Sequence, residues 1–264
     1  MTELSIYNRM KEFYESRSRT YLTRRTPCII RIDGCHFHTF TRGFEKPFDN
    51  IFIKSMIQTT KNLCEEIQGC VLGYVQSDEI SLLLVDFKQL NSEAWFSYQV
   101  QKICSVSASM AAAFFNKAFK NEVENFAMTA SIKDYDRLIG IYENAIKKTA
   151  YFDSRCFSIP KEEVSNYFLS RQLDATRNSI QGLAQANFSN RELHGLSCNK
   201  LQDKLYTEKN INWNDLPTML RRGTCLVKST YEHHRGWLVD DNIPIFSTEE
   251  GRKYVEDTFK VEEE

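Results

Sequence analysis

The stretch CVLGYVQSDEISLLLVDF, residues 70–87, decides how the rest of the chain is read. Two β-rich apolar runs flank the polar group Gln76-Ser77-Asp78-Glu79, the pattern of a hairpin whose joint carries two carboxylates. Toward the N-terminus, residues 49–68 read as a helix. Phe52, Met56, Leu63 and Ile67 fall on one face, Asp49 caps the start and Gly69 stops it. Before that helix, residues 27–33 read as a buried strand that begins at Pro27 and ends on Asp33-Gly34. Toward the C-terminus, Phe96, Val100, Ile103, Met110 and Phe114 recur at helical spacing. The small residues Ser105, Ala108, Ala111 and Ala112 would let that helix lie close against a sheet. Residues 133–149 form another amphipathic pattern, and SRCFSIP reads as a strand ending at Pro160. Lys161-Glu162-Glu163 then opens a long helix toward Gln185, its acidic pair favourable at the N-terminus. Short helices follow, then GTCLVK as a strand and a charged tail.

Strand, helix, hairpin, helix, strand is a mixed order. It predicts the α+β class, with helices against one face of a mainly antiparallel sheet in a palm-like, ferredoxin-like arrangement. No repeat, low-complexity tract or Gly/Ser linker marks a domain boundary.

Composition narrows the function. The 264 residues, 42% hydrophobic and 26% charged, suit a globular chain with a sizeable core. No apolar run of about 18 residues exists to span a membrane. MTELSIYNRMKEFYESRSR lacks the apolar centre of a signal peptide, so a cytoplasmic protein is expected. The eight cysteines include no C-x-x-C pair, which argues for reduced core thiols and against a zinc site. With net charge −1, any single basic residue reads first as solvated surface, and local clusters such as Arg17, Arg19, Arg24 and Arg25, or Lys204, Lys209, Arg221, Arg222 and Lys228, leave a phosphate-binding face open.

Asp33 and the pair Asp78-Glu79 stand at special places. If their strands are neighbours, the carboxylates converge at one rim of the sheet. Such a cluster suits Mg²⁺, which takes one or two carboxylates, waters and phosphate oxygens. Two ions about 3.5–4 Å apart would clamp an in-line phosphoryl transfer. Gly34 would let the backbone approach metal and phosphate, and Lys46 could reach a triphosphate ahead of the helix beginning near Asp49. Spacing alone leaves a second reading open, since Asp-Gly at a strand end is a common turn and Asp-Glu a common polar tip. His36 and His38 lack the partners of a zinc site, and no G-x-x-x-x-G-K-[ST] motif occurs.

RIDGCHFHTF, FEKPFD and YVQSDEIS, in this order and at this separation, resemble the signature blocks of the tRNA-His guanylyltransferase family, the 3′–5′ reverse polymerases. FDSR, FLSRQLDATRNSI and RRGTCLVK fit further blocks, so the resemblance covers roughly residues 25–228. It implies a palm-like fold, a homotetramer, and tRNA and nucleoside triphosphates as partners. Asp33, Asp78 and Glu79 would be catalytic. Asp33, Asp78 and the Gly34 carbonyl would hold two Mg²⁺ ions, with Glu79 less directly involved. Gly34, Cys35, His36 and Phe37 would cradle a triphosphate, and His38, Lys46, Asp49 and Ser77 would line nucleotide sites. Arg155, Arg171 and Asn178 would meet the tRNA 5′ end or phosphate. In outline, residues 1–160 would form the catalytic core with an N-terminal arm, and 161–264 a tRNA-contacting helical region with a C-terminal strand and tail. ATP would adenylylate a 5′-monophosphate, and the 3′-hydroxyl of an incoming GTP or other nucleotide would then displace AMP. A 5′-triphosphate would skip the activation.

Departures point to a branch. Thr176, Arg177 and Asn178 stand where the eukaryotic enzymes carry His-Ile-Asn, and Ser170 replaces the Trp expected before Arg171-Gln172. This resembles the bacterial and archaeal guanylyltransferase-like proteins, which repair truncated tRNA 5′ ends. Addition of a single G to tRNA-His is the narrower alternative. A nucleotidyl cyclase is disfavoured by Gln76-Ser77 where the diguanylate type shows Gly-Gly. A silent tRNA-binding protein is disfavoured by the retained Asp33, Lys46, Asp78 and Glu79.

Overall fold

The computed structural model describes residues 5–229 and 236–260. Of the charged tail, 230–235 and 261–264 lie outside the described residues. The strands are β1 (Cys28–Gly34), β2 (Cys70–Gln76), β3 (Glu79–Leu84), β4 (Phe152–Ser158), β5 (Thr224–Lys228) and β6 (Trp237–Asp240). The helices are α1 (Ile6–Phe13), α2 (Phe37–Phe40), α3 (Asn50–Glu66), α4 (Val100–Thr129), α5 (Ile132–Lys148), α6 (Val164–Asn187), α7 (Asn190–Leu193), α8 (Cys198–Lys209), α9 (Thr218–Arg222) and α10 (Glu249–Asp257).

The six strands form one sheet in the order β4-β1-β3-β2-β5-β6, and every neighbouring pair is antiparallel. β1 and β2 are joined through α3 and enclose β3, the split βαβ unit of ferredoxin-like folds. β5 and β6 extend this sheet past β2, so it draws strands from both sides of residue 160.

Alternation along the strands sorts their side chains to two faces. Ile30, Ile32, Ile80, Leu82 and Leu84 pack against α3, α4 and α5 through Met56, Leu63, Ile103, Phe115, Phe119 and Tyr142. Ile29, Leu72, Tyr74, Leu83 and Cys225 face the other way, onto Val164 and Phe168 of α6 and Phe246 and Val255 near and on α10. Both faces are therefore covered, where the sequence reading expected helices on one. The reason is that the apolar stripe of α6 has nowhere else to be buried. The far half of α6 builds a smaller cluster with α8, from Ile180, Leu183, Leu201, Leu205 and Trp213.

Two other expectations shift. Phe96 is not part of α4. Phe96, Ser97 and Tyr98 turn the chain at φ 48°, 52° and 61°, and the helix begins at Val100. Ala111 and Phe115 are the buried residues, rather than Met110 and Phe114, which are only half-buried. Arg24 also leaves the phosphate-binding candidates. The Arg24 Nε donates to Asp86 Oδ2 at 2.6 Å and the Arg25 N–H to Asp86 Oδ1 at 2.8 Å, which anchors the N-terminal arm to the end of β3.

All eight cysteines are free thiols, and burial pushes Cys28 and Cys225 well above the ordinary thiol range. Among the described residues, no helix is long and apolar enough to cross a membrane.

Candidate active site

The hairpin of β2 and β3 closes in two residues, Ser77 and Asp78, with Ser77 at φ 49°. Register then sets the site. Asp33 lies opposite Glu79 on β3 and opposite Asp153 on β4, so three carboxylates form one row across three strands at the rim. Like charges placed directly opposite one another destabilise a sheet, and this row calls for a chemical reason. Asp153 was not among the candidates from sequence. Its signal is the alternation in FDSR, which puts Asp153 and Arg155 on one face.

The members of the row differ in how they are neutralised. Glu79 is nearly buried and accepts from Arg171 Nη1 of α6 at 3.1 Å. Burial pushes its carboxyl above the ordinary range, against the pull of Arg171 and Arg31. Asp153 accepts from Arg155 at 2.9 Å on an exposed edge. Asp33 has no hydrogen-bond donor among the described residues. Asp78, beside it, has the Ser77 hydroxyl at 3.1 Å and its own backbone N–H, but no cationic partner among the described residues. Burial first and the charge of Asp33 second raise the Asp78 carboxyl above its usual range. Asp33 and Asp78 thus repel each other, with no ion-paired basic side chain for either among the described residues.

Among the described residues, no three His, Cys, Asp or Glu side chains gather into a metal cage. A cation here would draw on two carboxylates, a backbone carbonyl and substrate oxygens, a hard-oxygen set that fits Mg²⁺. Close backbone approach is built in at Gly34. Its N–H donates to the Asp78 carbonyl at 3.1 Å, and a Cβ there would run into three carbons of the Phe37 ring.

Beside the carboxylates lies a cavity of about 480 Å³, on the side of the rim toward α3. Gly34, His36, Phe37, His38, Lys46, Asp49, Ser77 and Asp78 all line it. Cys35 does not, and its N–H is committed to the Tyr151 carbonyl at 2.8 Å. With the Gly34 N–H also committed, the His36 and Phe37 N–H groups are the ones left without a protein acceptor among the described residues. His36 sits in the left-handed region at φ 57°, where α2 begins. The exposed Lys46 has no anionic partner among the described residues. Asp49 is the opposite case. It is buried, caps α3 through Phe52 N–H at 2.9 Å, and also accepts from the Glu45 N–H at 3.0 Å and the Tyr142 hydroxyl at 2.8 Å. Its carboxylate shapes the wall and has little capacity left for a ligand.

The remaining candidates separate. Arg171 and Arg155 reach the acidic row. Asn178 makes no contact with the acidic row; it donates to Asp174 at 3.3 Å and lines a second cavity of about 260 Å³ between α3 and α6 that reaches Ser77 of the hairpin.

A palm-like sheet that offers two unneutralised carboxylates beside a cavity lined by a lysine and free backbone N–H groups is the layout of a nucleotidyltransferase. Comparison with known proteins agrees. The family model for Thg1, tRNAHis guanylyltransferase, matches residues 7–160. A bacterial tRNA(His) guanylyltransferase (Thg1)-like protein in complex with ATP superposes with a TM-score of 0.81 at 44% identity, covering 97% of this chain and 100% of that one. A bacterial structure of the same description in complex with GTP gives 0.78 at 41%, covering 97% and 99%. The tRNA(His) guanylyltransferase of Saccharomyces cerevisiae is 28% identical over 76% of this chain and 81% of its own length. The chain belongs to the tRNA-His guanylyltransferase family, on its bacterial-like branch, and is a 3′–5′ nucleotidyltransferase.

Proposed function

We infer that this chain is a Mg²⁺-dependent repair polymerase that extends 5′-truncated tRNAs in the 3′–5′ direction, copying the opposite strand. The observation that supports this most is the unneutralised pair Asp33 and Asp78 beside a cavity with an unpartnered lysine. An idle site has no use for either. ATP and GTP, the nucleotides bound by the bacterial relatives, serve here as activating and incoming nucleotides, with the other triphosphates admitted as the template requires.

Asp33, Asp78 and the Gly34 carbonyl would hold two Mg²⁺ ions, which when bound neutralise phosphate charge and supply electrostatic stabilisation to the transfer. The chain's own residues do the rest. Lys46 and the His36 and Phe37 N–H groups bind a triphosphate, and His38 and Ser77 line its path. Asp49 holds the 45–49 loop in shape through its three donors. The Arg171–Glu79 pair fixes α6 against the rim, where Arg155 and Asn178 offer contacts to the tRNA end. ATP adenylylates a 5′-monophosphate with release of pyrophosphate, and the 3′-hydroxyl of the incoming nucleotide then displaces AMP. Catalysis is mainly positioning and electrostatics.

The tRNA-contacting role falls largely to residues 161–264 and the chemistry to residues 1–160. Assembly as a homotetramer, in the cytoplasm, completes the reading. The exposed Ile6, Tyr7 and Phe13 of α1 are surface suited to such assembly.

The test is incubation with 5′-truncated tRNAs, ATP, Mg²⁺ and all four nucleoside triphosphates. Templated extension of several tRNAs supports repair. Addition of G to tRNA-His alone supports the narrower activity, and extension of neither overturns the reading.

A further inference from the structure

Directly behind the acidic row runs a basic one. Arg31 lies two residues before Asp33 on the same face of β1, and its partner across the ladder on β4 is Arg155. On β3 its partner is Ser81, whose hydroxyl is already engaged with the Tyr167 hydroxyl at 2.8 Å. Arg171 descends from α6 onto the same face.

Each of the other two arginines has a carboxylate: Arg155 has Asp153, and Arg171 has both oxygens of Glu79, at 3.1 and 3.5 Å. Arg31 has none. Its Nε is sealed from solvent with no hydrogen-bond partner, and no acceptor for its guanidinium occurs among the described residues. It feels the charge of Glu79, but Arg171 has taken the contact. A buried donor of a charged group left unmatched is costly and rare in native proteins. An arginine facing another arginine adds repulsion.

A phosphate satisfies both. It offers acceptors in the planar fork geometry of a guanidinium and carries the negative charge that Arg31 has no contact with inside the chain. We propose that Arg31, with Arg155, binds the 5′-terminal phosphate of the RNA substrate on the α6 side of the rim. This rests on the tRNA 5′-end reading given above. The triphosphate cavity opens on the α3 side, so the two phosphates to be joined approach Asp33 and Asp78 from opposite faces of the sheet. Arg31 is then a positioning residue that holds the acceptor end in register with the carboxylates.

The experiment measures binding of two otherwise identical tRNA transcripts, one with a 5′-monophosphate and one with a 5′-hydroxyl, by fluorescence anisotropy. Wild-type protein prefers the phosphorylated RNA by about tenfold, the scale of one charge-assisted hydrogen bond. Arg31→Gln abolishes that preference and leaves 5′-hydroxyl binding unchanged, while Arg31→Lys, which keeps the charge without the fork, restores part of it. A full preference retained by Arg31→Gln overturns the inference and leaves the tRNA reading standing. Equal loss of both RNAs in Arg31→Gln and Arg31→Lys assigns Arg31 a structural role and also overturns it. No binding of either RNA by the wild type removes the tRNA reading itself, and the inference with it.

Discussion

The β1–β3 ladder has a carboxylate at each end, and the two ends are handled in opposite ways. At one, Asp86 follows β3, is fully buried, and has both oxygens filled by Arg24 and the Arg25 N–H. At the other, Asp33 has no donor and Asp78 has only the Ser77 hydroxyl and its own backbone N–H, with no cationic partner for either among the described residues. Removing a carboxylate from water is costly unless it is paired. The first end meets that condition within the chain, and the second does not. A charge that the fold completes by itself is structural, whereas a charge left incomplete is kept for something that binds.

The contrast breaks most visibly under substitution. Asp33→Asn should lower nucleotide addition at least a thousandfold, about 4 kcal/mol of barrier, with circular dichroism and melting temperature preserved. A variant with near-normal Mg²⁺-dependent activity would remove Asp33 from the site. Asp86→Ala should do the reverse. It leaves Arg24 and the Arg25 N–H without their acceptor and should cost about 2–4 kcal/mol of stability in denaturant titration, with the rate per folded molecule unchanged.

Gly34→Ala sits between these extremes. The new Cβ must displace the Phe37 ring, so about 1–3 kcal/mol of stability and most of the activity should go together. The smallest effect is the most telling. The folded state raises Asp78 above its ordinary 3.8, so the fold is favoured while that group is protonated and loses stability as pH rises through the raised value. Asp78→Asn should therefore melt higher than wild type at neutral pH, by about 0.5–2 kcal/mol, while inactive. The two proteins should converge below about pH 4. A lower melting temperature for Asp78→Asn at pH 7 would make Asp78 a structural group like Asp86.

What was legible in the sequence follows rules that act over a few residues. Alternation gave β1 and the hairpin, and the carboxylate before an apolar stripe gave the Asp49 cap. The signature blocks carried the family. What was not legible depends on partners far along the chain. Arg24 reads as a phosphate binder because its partner Asp86 lies 62 residues away. Asp153 and Arg31 enter the site only through the register of β1 with β4. The second helical layer was invisible because a strand's pattern does not say which helix will cover which face. β6 has four residues and α10 nine, too short and polar to stand out from a charged tail. The turn at Phe96–Tyr98 takes positive φ without a glycine to announce it.

The contact between Gly34 and Phe37 has one more consequence. The Phe37 ring lies 5.0–5.9 Å from those of Phe40, Phe52, Phe115 and Phe152, which come from α2, α3, α4 and β4. Many binding loops exchange their amide protons by local opening while the rest of the protein stays closed. This one has its own ring driven into the middle of the core. The hydrogen-bonded amides of Gly34, Cys35, Thr39 and Thr41 should exchange only at the rate of global unfolding, so that on heating the cradle and the native state disappear as a single event.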